Sequence, residues 1–173
     1  VDELPPMEEW KMSCRGLDFG FSQDPSALEH VVLAHGDLWI DEEVYSTGLT
    51  NPLLAKKAKD AGVTGEDEII ADCAEPKSIA ELRGEGLWVT PSAKGKDSIV
   101  VGLDILRRYK IHITRRSLGI LDNFRRYSWS KDREGNMTNK PEDRNNHGVD
   151  AIRYVALKKL NIMPRARGIT RRN

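Results

Sequence analysis

Three aspartates of this chain occur inside segments that otherwise have the composition of buried structure. Asp18 lies within the strand-like segment SCRGLDFG, and Asp72 follows the apolar residues of EDEIIADCAEP. Asp150 lies on the apolar side of NNHGVDAIRYV, which has helical periodicity. Ionised carboxylates are rarely buried unless another group pairs with them. Each aspartate therefore needs a partner, and the three are candidates for one common site.

Taken alone, Asp18 has several candidate partners. Its carboxylate could pair with Arg15 or Arg83, accept backbone N–H groups, or bind a metal ion. The tripeptide DFG that contains Asp18 also occurs in protein kinases. The chain has no HRD-type catalytic loop, no VAIK-type lysine strand and no preceding glycine-rich loop, so a kinase is excluded.

A divalent cation would explain why three carboxylates stand together. Without a cation, like charges a few ångströms apart raise one another's pKa values. Carboxylate oxygens suit Mg²⁺ or Mn²⁺, and two such ions about 3.5–4 Å apart support in-line hydrolysis of phosphodiesters. One ion lowers the pKa of the attacking water, and the other stabilises the leaving 3′ oxygen. The hypothesis is a two-ion Mg²⁺ or Mn²⁺ site formed by Asp18, Asp72 and Asp150.

His147 belongs to the same predicted helix as Asp150. The two residues are three positions apart, so their side chains share a helix face about one turn from its N-terminus. Considered by itself, His147 is explained as a helix N-terminal residue satisfied by hydrogen bonds. Ala151 follows on the packed side and is small enough to let the helix lie close to a sheet.

The elements that would position these residues alternate between strands and helices. A first strand over residues 13–20 precedes a hairpin over residues 27–47 that turns at His35-Gly36-Asp37. Three antiparallel strands followed by helix, strand, helix and strand predict an α/β fold, a mixed sheet with helices on its faces. Sites in such sheets gather where neighbouring strands end. Asp18 and Asp72 would face each other if the first and fourth strands are neighbours.

Helix start and stop signals predict the other elements. Asn51 is predicted to cap a helix with proline near its start and glycine at its end. Glu75 is either an outer metal ligand or a favourable acid at the start of its helix, and Asp143 is the predicted N-cap of the last helix. The predicted elements are a strand in 66–76, a helix from Pro76 to Gly86, a strand over 87–91, a helix over 97–109, a strand over 110–114, a helix over 117–127, a polar hairpin over 127–139 and a helix from about Arg144 to Leu160.

Composition and charge limit the function classes. The 173 residues carry 27 Lys plus Arg and 27 Asp plus Glu, so the net charge neither favours nor excludes a polyanionic partner. Basic residues concentrate at 107–126 and in the terminal RARGITRRN, which is either a nucleic-acid footprint or a solvated face. Cys14 and Cys73 lack the CxxC spacing of zinc sites, and reduced thiols are expected. No apolar run is long enough to predict a membrane span.

Four blocks of the sequence resemble one known family. They are GLDFGFSQDPSA; IIADCAEPKSIAELRGEG; PSAKGKDSIVVGLDIL; and YSWSKDREGN followed by PEDRNNHGVDAIRY. Together they extend over residues 16–155, in the order and approximate spacing of the C-terminal nuclease domain of the large terminase subunit of tailed bacteriophages. That subunit is the motor that packages viral DNA. The chain is similar to this family over nearly its whole length.

The resemblance implies an RNase H-like fold in which Asp18, Asp72 and Asp150 hold two Mg²⁺ or Mn²⁺ ions. It also implies an accessory role for His147 near the scissile phosphate, and it makes Lys94 a candidate phosphate contact.

The polar segment 130–139 resembles the family's hairpin beside the active site, which limits how DNA approaches. Lys131, Arg133 and Lys140 suit contacts with DNA phosphates, which carry no sequence information and weaken with salt.

The implied activity is endonucleolytic cutting of concatemeric double-stranded viral DNA, with little sequence specificity, during genome packaging. The implied partners are double-stranded DNA, an N-terminal ATPase domain, the small terminase subunit and the portal, in the host cell cytoplasm. The chain has no GxxxxGKS or GxxxxGKT loop, so the ATPase part is not expected within it. Residues 1–12 are then a linker remnant, residues 13–160 the nuclease domain and residues 161–173 a basic tail. The isolated domain is expected to be a monomer.

Two other classes share part of this pattern. Another RNase H-like nuclease, of junction resolvase or transposase type, would use the same acids and metal ions. A non-catalytic DNA-binding module would bind DNA without cleaving it. In a nuclease, alanine at Asp150 is expected to abolish cleavage and to spare DNA binding.

Overall fold

The computed structural model describes residues 1–20, 22–93, 95, 97–127, 129–131, 134, 137–141 and 146–161. For residues 129–131 and 137–141 it describes the backbone alone. Within these residues, no helix combines the length and the apolar composition needed to cross a membrane.

Six strands form one mixed sheet: β1 (Trp10–Asp18), β2 (Ser26–Ala34), β3 (Asp37–Ser46), β4 (Glu68–Ala71), β5 (Trp88–Pro91) and β6 (Ile111–Ile113). Their order across the sheet is β5-β4-β1-β2-β3-β6. β2 pairs antiparallel with both β1 and β3, whereas β4 is parallel to β1, β5 to β4 and β6 to β3. The predicted mixed sheet is confirmed, and so is the predicted adjacency of the first and fourth strands.

Helices cover both faces of the sheet. They are α1 (Asn51–Asp60), α2 (Pro76–Gly84), α3 (Ser98–Leu106), α4 (Leu118–Arg126) and α5 (His147–Val155). α5 continues directly into a π-helical turn, Ala156–Leu160. One buried apolar cluster joins the sheet to α3, α4 and α5, and a second joins its opposite face to α1 and α2. A separate antiparallel pair, β7 (Trp129–Lys131) and β8 (Met137–Pro141), lies in the predicted polar hairpin.

The turn between β2 and β3 has the predicted position. His35 and Gly36 have φ angles of 56° and 85°, so both central residues are in the left-handed region. Two positive φ values are typical of the two-residue type I′ turn, whose twist matches that of the flanking strands.

Two predicted helix starts differ from the structure. Thr50 is the N-cap of α1, and Asn51 is its first helical residue. The Asn51 amide instead donates to Oε2 of Glu81 in α2 at 2.6 Å, because a tertiary acceptor is available. α5 has Asn146 as its N-cap, so the prediction of Asp143 there is wrong, and Asp143 lies outside the described residues.

Two further boundaries bear on the predictions. Glu75 occupies the N-cap position of α2, but its side chain makes no capping hydrogen bond to the helix backbone. β1 begins at Trp10, so the last three residues of the predicted leader 1–12 are part of the sheet.

Candidate active site

β1 and β4 bring Asp18 and Asp72 to the same edge of the sheet. These parallel strands pair Leu17 with Ala71, and the backbone N–H of Asp72 donates to the Leu17 carbonyl at 3.3 Å. Asp18 and Asp72 are therefore the next residues in register, at the carboxyl ends of neighbouring parallel strands, where sites in such sheets form. The partly buried Asp72 accepts the backbone N–H of Ala74 on Oδ1 at 3.0 Å, which orients its carboxylate.

α5 packs directly on β1 because Gly16 has no side chain. A Cβ at Gly16 would lie 2.0 Å from the carbonyl oxygen of Ala151 and 3.1 Å from Cγ2 of Val155. Ala151 is fully buried in this contact, as its small size predicts. The backbones of the helix and the strand are thus close enough for short side chains on the two elements to touch.

The buried carboxylate of Asp18 accepts two hydrogen bonds from α5. The Tyr154 hydroxyl donates to Oδ1 at 2.9 Å, and Nδ1 of His147 lies 2.9 Å from Oδ2. The other imidazole nitrogen, Nε2, lies 3.6 Å from Oδ1 of Asp24. The hydrogen bond to Asp18 raises the pKa of His147, while partial burial of the ring acts in the opposite direction. Protonation of the imidazole is therefore easier here than in a free histidine.

Asp150 is also held by neighbours on its own helix. Nε of Arg153 donates to its Oδ1 at 2.9 Å, and Nδ2 of Asn146 donates to its Oδ2 at 3.0 Å. Burial raises the pKa of Asp150, Arg153 opposes this, and the nearby charge of Asp18 adds to it. Arg153 is only 5% exposed, so Asp150 is the counter-ion of a buried guanidinium.

All three aspartates affect the pKa of one phenol, that of Tyr154. The pKa of Tyr154 is raised first by burial and then by Asp18, Asp150 and Asp72. Within the described part of the chain, no three or more His, Cys, Asp or Glu side chains form a group that could hold a metal ion as they stand. Asp18 and Asp150 face protein donors instead.

The other predicted contacts are distributed as follows. Lys94 and Arg133 lie outside the described residues. Lys131 is the last residue of β7 and Lys140 lies in β8, and only their backbones are described. The structure therefore joins Asp18, His147 and Asp150 through one helix, with Asp72 at the adjacent strand end.

An open cavity of about 570 Å³ lies beside the site. Phe19 and Gly20, which follow Asp18, line it together with Asp24 and the helix residues Glu75 and Glu81. Its acidic lining makes the cavity itself a poor place for a phosphate group.

Sequence reasoning missed three residues that contact the predicted acids: Asn146, Arg153 and Tyr154. Tyr154 follows Asp150 by four positions and His147 by seven, so helical spacing places all three on one face. That spacing was a usable signal. The roles of Asn146 and Arg153 depend on side-chain direction, which spacing alone does not determine.

Residues 18–159 match the family described as Terminase RNAseH like domain. The chain belongs to this family. Among curated proteins, the terminase large subunit of Bacillus phage SPP1 is 31% identical over 154 residues, which are 82% of this chain and 35% of that protein. The PBSX phage terminase large subunit of Bacillus subtilis (strain 168) is 25% identical over 143 residues, 81% of this chain and 33% of that protein. The chain thus spans about a third of the length of these relatives.

The fold is also that of a solved terminase nuclease domain. The crystal structure of the large terminase nuclease domain from bacteriophage SPP1, with bound Mn, superposes with a TM-score of 0.73 at 26% identity. The match covers 85% of this chain and 86% of that one. The predicted RNase H-like fold and the predicted family are both confirmed.

Proposed function

We propose that this chain is the metal-dependent endonuclease domain of a viral large terminase subunit. It would cut concatemeric double-stranded viral DNA with little sequence specificity during genome packaging. The observation that carries the proposal is the meeting of Asp18 and Asp72, at adjacent parallel strand ends, with the helix that bears His147 and Asp150. Membership of the terminase family supports the same activity.

The chemistry of the donor set suits a hard divalent cation, although the described side chains are not grouped to hold one as they stand. Asp18, Asp72 and Asp150 would hold the ion or ions, since oxygen ligands suit Mg²⁺ and Mn²⁺. A bound cation would relieve the repulsion by which Asp18 raises the pKa of Asp150. Asp18 and Asp150 keep unused lone pairs beyond those that meet protein donors. The structure of the SPP1 nuclease domain with bound Mn supports a divalent metal ion, and the three ligands and the pair of ions are our proposal.

Divalent ions bound there would supply an activated water and stabilise negative charge on the leaving 3′ oxygen. Tyr154 and His147 orient the Asp18 carboxylate from both of its oxygens. Arg153 and Asn146 do the same for Asp150. These contacts fix the carboxylates before substrate arrives, which reduces the reorganisation needed for reaction.

His147 is proposed to assist proton transfer near the scissile phosphate. Its hydrogen bond to Asp18 favours the protonated imidazole, which could donate a proton to the departing oxygen. Oδ1 of Asp24, 3.6 Å from Nε2, limits the positions that the ring can take.

The surrounding assignments are also proposals. Lys94, Lys131, Arg133 and Lys140 would contact DNA phosphates without reading sequence. Residues 10–160 would form the nuclease domain, because β1 begins at Trp10, with residues 1–9 as the linker from an ATPase domain and residues 161–173 as a basic tail. The small terminase subunit and the portal would be partners in the host cell cytoplasm, and the isolated domain would be a monomer.

Cleavage of supercoiled plasmid tests the activity, and Asp72→Ala is the sharpest variant. Asp72 is partly exposed, and its carboxylate accepts a hydrogen bond from Ala74 in its own turn, so alanine there should cost little stability. Asp104→Ala removes an exposed acid that pairs with Arg107 on α3 and is the matched control. We expect nicking and linearisation in Mg²⁺ or Mn²⁺, none in EDTA, none with Asp72→Ala, and full activity with Asp104→Ala.

Alanine at Asp150 is a poorer test than the sequence suggested. It would leave the buried Arg153 without its carboxylate, and breaking a buried pair costs about 3–5 kcal/mol. Loss of cleavage could then reflect unfolding. Asp150→Asn is the better variant, because it keeps the volume and an oxygen that can accept from Arg153, and urea unfolding must show that it stays folded despite the lost charge. DNA binding that survives in Asp72→Ala and Asp150→Asn without cleavage assigns the acids to chemistry.

Other outcomes identify the alternative classes. Preference for branched DNA would indicate a junction resolvase, and joining of strands would indicate a transposase-type enzyme. DNA binding with no cleavage in any metal would indicate a binding module and would contradict the proposal.

A further inference from the structure

The first turn of α5 rests on a buried polar contact with α4. The backbone N–H of Gly148 donates to Oδ1 of Asn123 at 2.7 Å, and Nδ2 of Asn123 donates to the Tyr45 hydroxyl at 2.9 Å. Asn123 is 1% exposed, so water cannot replace either partner without a change in packing. The free N–H groups of a first helical turn need such acceptors. Asn123 thus connects the start of α5 to β3 through Tyr45.

Gly148 leaves no room for movement at this contact. A Cβ on Gly148 would lie 3.0 Å from Oε1 of Glu29, 3.0 Å from Cβ of Ile120 and 3.1 Å from Oδ1 of Asn123. These distances are shorter than ordinary van der Waals contacts, so the backbone of α5 meets β2 and α4 directly. The height of the helix end above the sheet is therefore set by these side chains.

α4 is in turn anchored to the sheet. Oε2 of Glu42 accepts the backbone N–H of Ile120 at 2.7 Å, and Oε1 accepts that of Gly119 at 3.2 Å. Ser117, the N-cap residue of α4, accepts the backbone N–H of Glu42 at 2.8 Å. A continuous set of contacts therefore runs from β3 through α4 to Gly148.

His147 immediately precedes Gly148 and contacts Asp18. Displacement of the Gly148 backbone would displace the imidazole, because the two residues share a peptide bond. A shift of about 1 Å in a group near the chemistry can cost about 100-fold in rate. The Asn123 contact acts on the site without touching Asp18, Asp72 or Asp150 in any described hydrogen bond.

We propose that Asn123 is a positioning residue of the active site, which fixes the start of α5 so that His147 reaches Asp18. The inference rests on the proposed nuclease function for its catalytic consequence. Two observations support the inference: the hydrogen bond from Gly148 to Asn123, and the lack of space for a side chain at Gly148.

Three variants separate positioning from general stability. Asn123→Leu keeps a similar volume and removes both hydrogen bonds. Asn123→Asp retains an acceptor for Gly148, and its second oxygen can accept from the Tyr45 hydroxyl. Ser117→Ala is the matched control, because Ser117 is equally buried but has no described bond to α5, and the two contacts of Glu42 with α4 remain in this variant.

Two properties of the 173-residue chain are measured, both at a temperature below its unfolding transition. The first is steady-state plasmid nicking in Mn²⁺, with kcat and KM for DNA obtained separately. The second is the ¹⁵N chemical shifts of the His147 ring, measured without metal, which report the contact of Nδ1 with Asp18.

In Asn123→Leu we expect kcat to fall about 10- to 100-fold with KM changed less than about 3-fold, and the His147 ring shifts to move. Asn123→Asp should regain most of the rate, and Ser117→Ala should change neither readout. Unchanged ring shifts and kcat in Asn123→Leu would overturn the proposal. Equal losses in Asn123→Leu and Ser117→Ala would overturn it too, because they would show a general loss of stability.

Failure of the nuclease function is a separate outcome. If the wild type cleaves in no metal, the proposed function fails, and the His147 ring shifts alone decide whether Asn123 holds the His147–Asp18 contact. If Asn123→Leu does not fold, Tyr45→Phe takes its place, since it removes the hydroxyl that accepts from Asn123. A several-fold fall in kcat with moved ring shifts would support the proposal, and unmoved ring shifts would refute it.

Discussion

The Tyr154 hydroxyl donates a 2.9 Å hydrogen bond to Oδ1 of Asp18, although the two residues are 136 positions apart in the chain. The bond is buried, and it leaves Oδ2 of the same carboxylate to His147. Asp18 therefore has a defined orientation before any cation or DNA is bound. Through this bond Tyr154 of α5 orients the carboxylate of Asp18, the first predicted metal ligand.

Tyr154→Phe should weaken the proposed metal site without altering the packing of the ring. Groups that hydrogen-bond to metal ligands contribute about 10- to 100-fold to metal affinity or activity, so a loss in that range is expected. Calorimetric titration with Mn²⁺ and the rate of plasmid nicking measure it. Tyr109→Phe, at a partly buried tyrosine packed against the same core cluster, should leave both values unchanged. Equal effects of the two substitutions would refute a specific role for Tyr154.

Gly16→Ala should destabilise the protein by separating α5 from β1. The added Cβ would lie 2.0 Å from the carbonyl oxygen of Ala151, and backbone atoms cannot move aside as a side chain can. Overpacking of this kind typically costs about 1–3 kcal/mol. Urea unfolding measures the change. Gly84→Ala, where nothing lies within 4 Å of the new Cβ, should be neutral or stabilising, and a comparable loss there would contradict the packing explanation.

Glu29→Gln should stabilise the protein increasingly as pH rises. Glu29 is fully buried, and neither carboxylate oxygen has a hydrogen-bond partner among the described residues. Burial raises its pKa well above the ordinary value of 4.5, and the charges of Glu42, Asp41 and Glu43 raise it further. The folded state therefore binds this proton more tightly than the unfolded chain does.

The sign of the pH effect follows from that difference. The contribution of the Glu29 proton to stability is complete below about pH 4.5, the ordinary value, and is lost as pH rises through the folded pKa. The loss approaches about 1.4 kcal/mol per pH unit for one proton, and Gln has no such proton to lose. The free energies of unfolding of the wild type and Glu29→Gln, measured with urea from pH 5 to pH 8, should therefore differ more as the pH rises. A constant difference between the two free energies over this pH range would mean that Glu29 is ionised in the folded protein.

Thiol labelling should distinguish the two cysteines. Cys14 is buried, burial raises its pKa to about 12, and its thiol donates to the Glu68 carbonyl of β4 at 3.3 Å. Because the thiolate is the reactive form, Cys14 should react with an aromatic disulfide reagent only after unfolding. Cys73 is partly exposed and should react in the folded state. The Cys73→Ser variant should therefore show no fast reaction, and a fast thiol in it would indicate that β1 and β4 separate.

Local chemistry made part of the fold predictable. His35 and Gly36 stand between two apolar runs, and this local pattern was enough to predict the turn of the β2–β3 hairpin. The turn itself requires positive φ values at these two residues, which is a local property of the chain. The adjacency of Asp18 and Asp72 was predicted on the condition that the first and fourth strands are neighbours, and the parallel pairing of β1 with β4 meets that condition. Their roles as metal ligands stay a prediction.

Tertiary partners decided what the sequence could not predict. Asn51 looks like a cap, but its amide finds Glu81 on the next helix, so Thr50 takes the cap position. Asn123 and Glu29 carry no motif, and their importance appears only when α4, β2 and α5 are packed together. Propensity and spacing describe single elements, whereas these contacts join residues that are distant in the sequence.

The two hydrogen bonds on Asp18 span 129 and 136 residues, which has a consequence for synthesis on the ribosome. β1 is synthesised well before α5, so a polypeptide that ends before His147 contains all six strands of the sheet without the helix that completes the candidate site. Bringing residues of such long sequence separation together also costs loop-closure entropy. Such an unfinished polypeptide lacks both His147 and Asp150, so under the proposed function it would not cleave the nucleic acid around it.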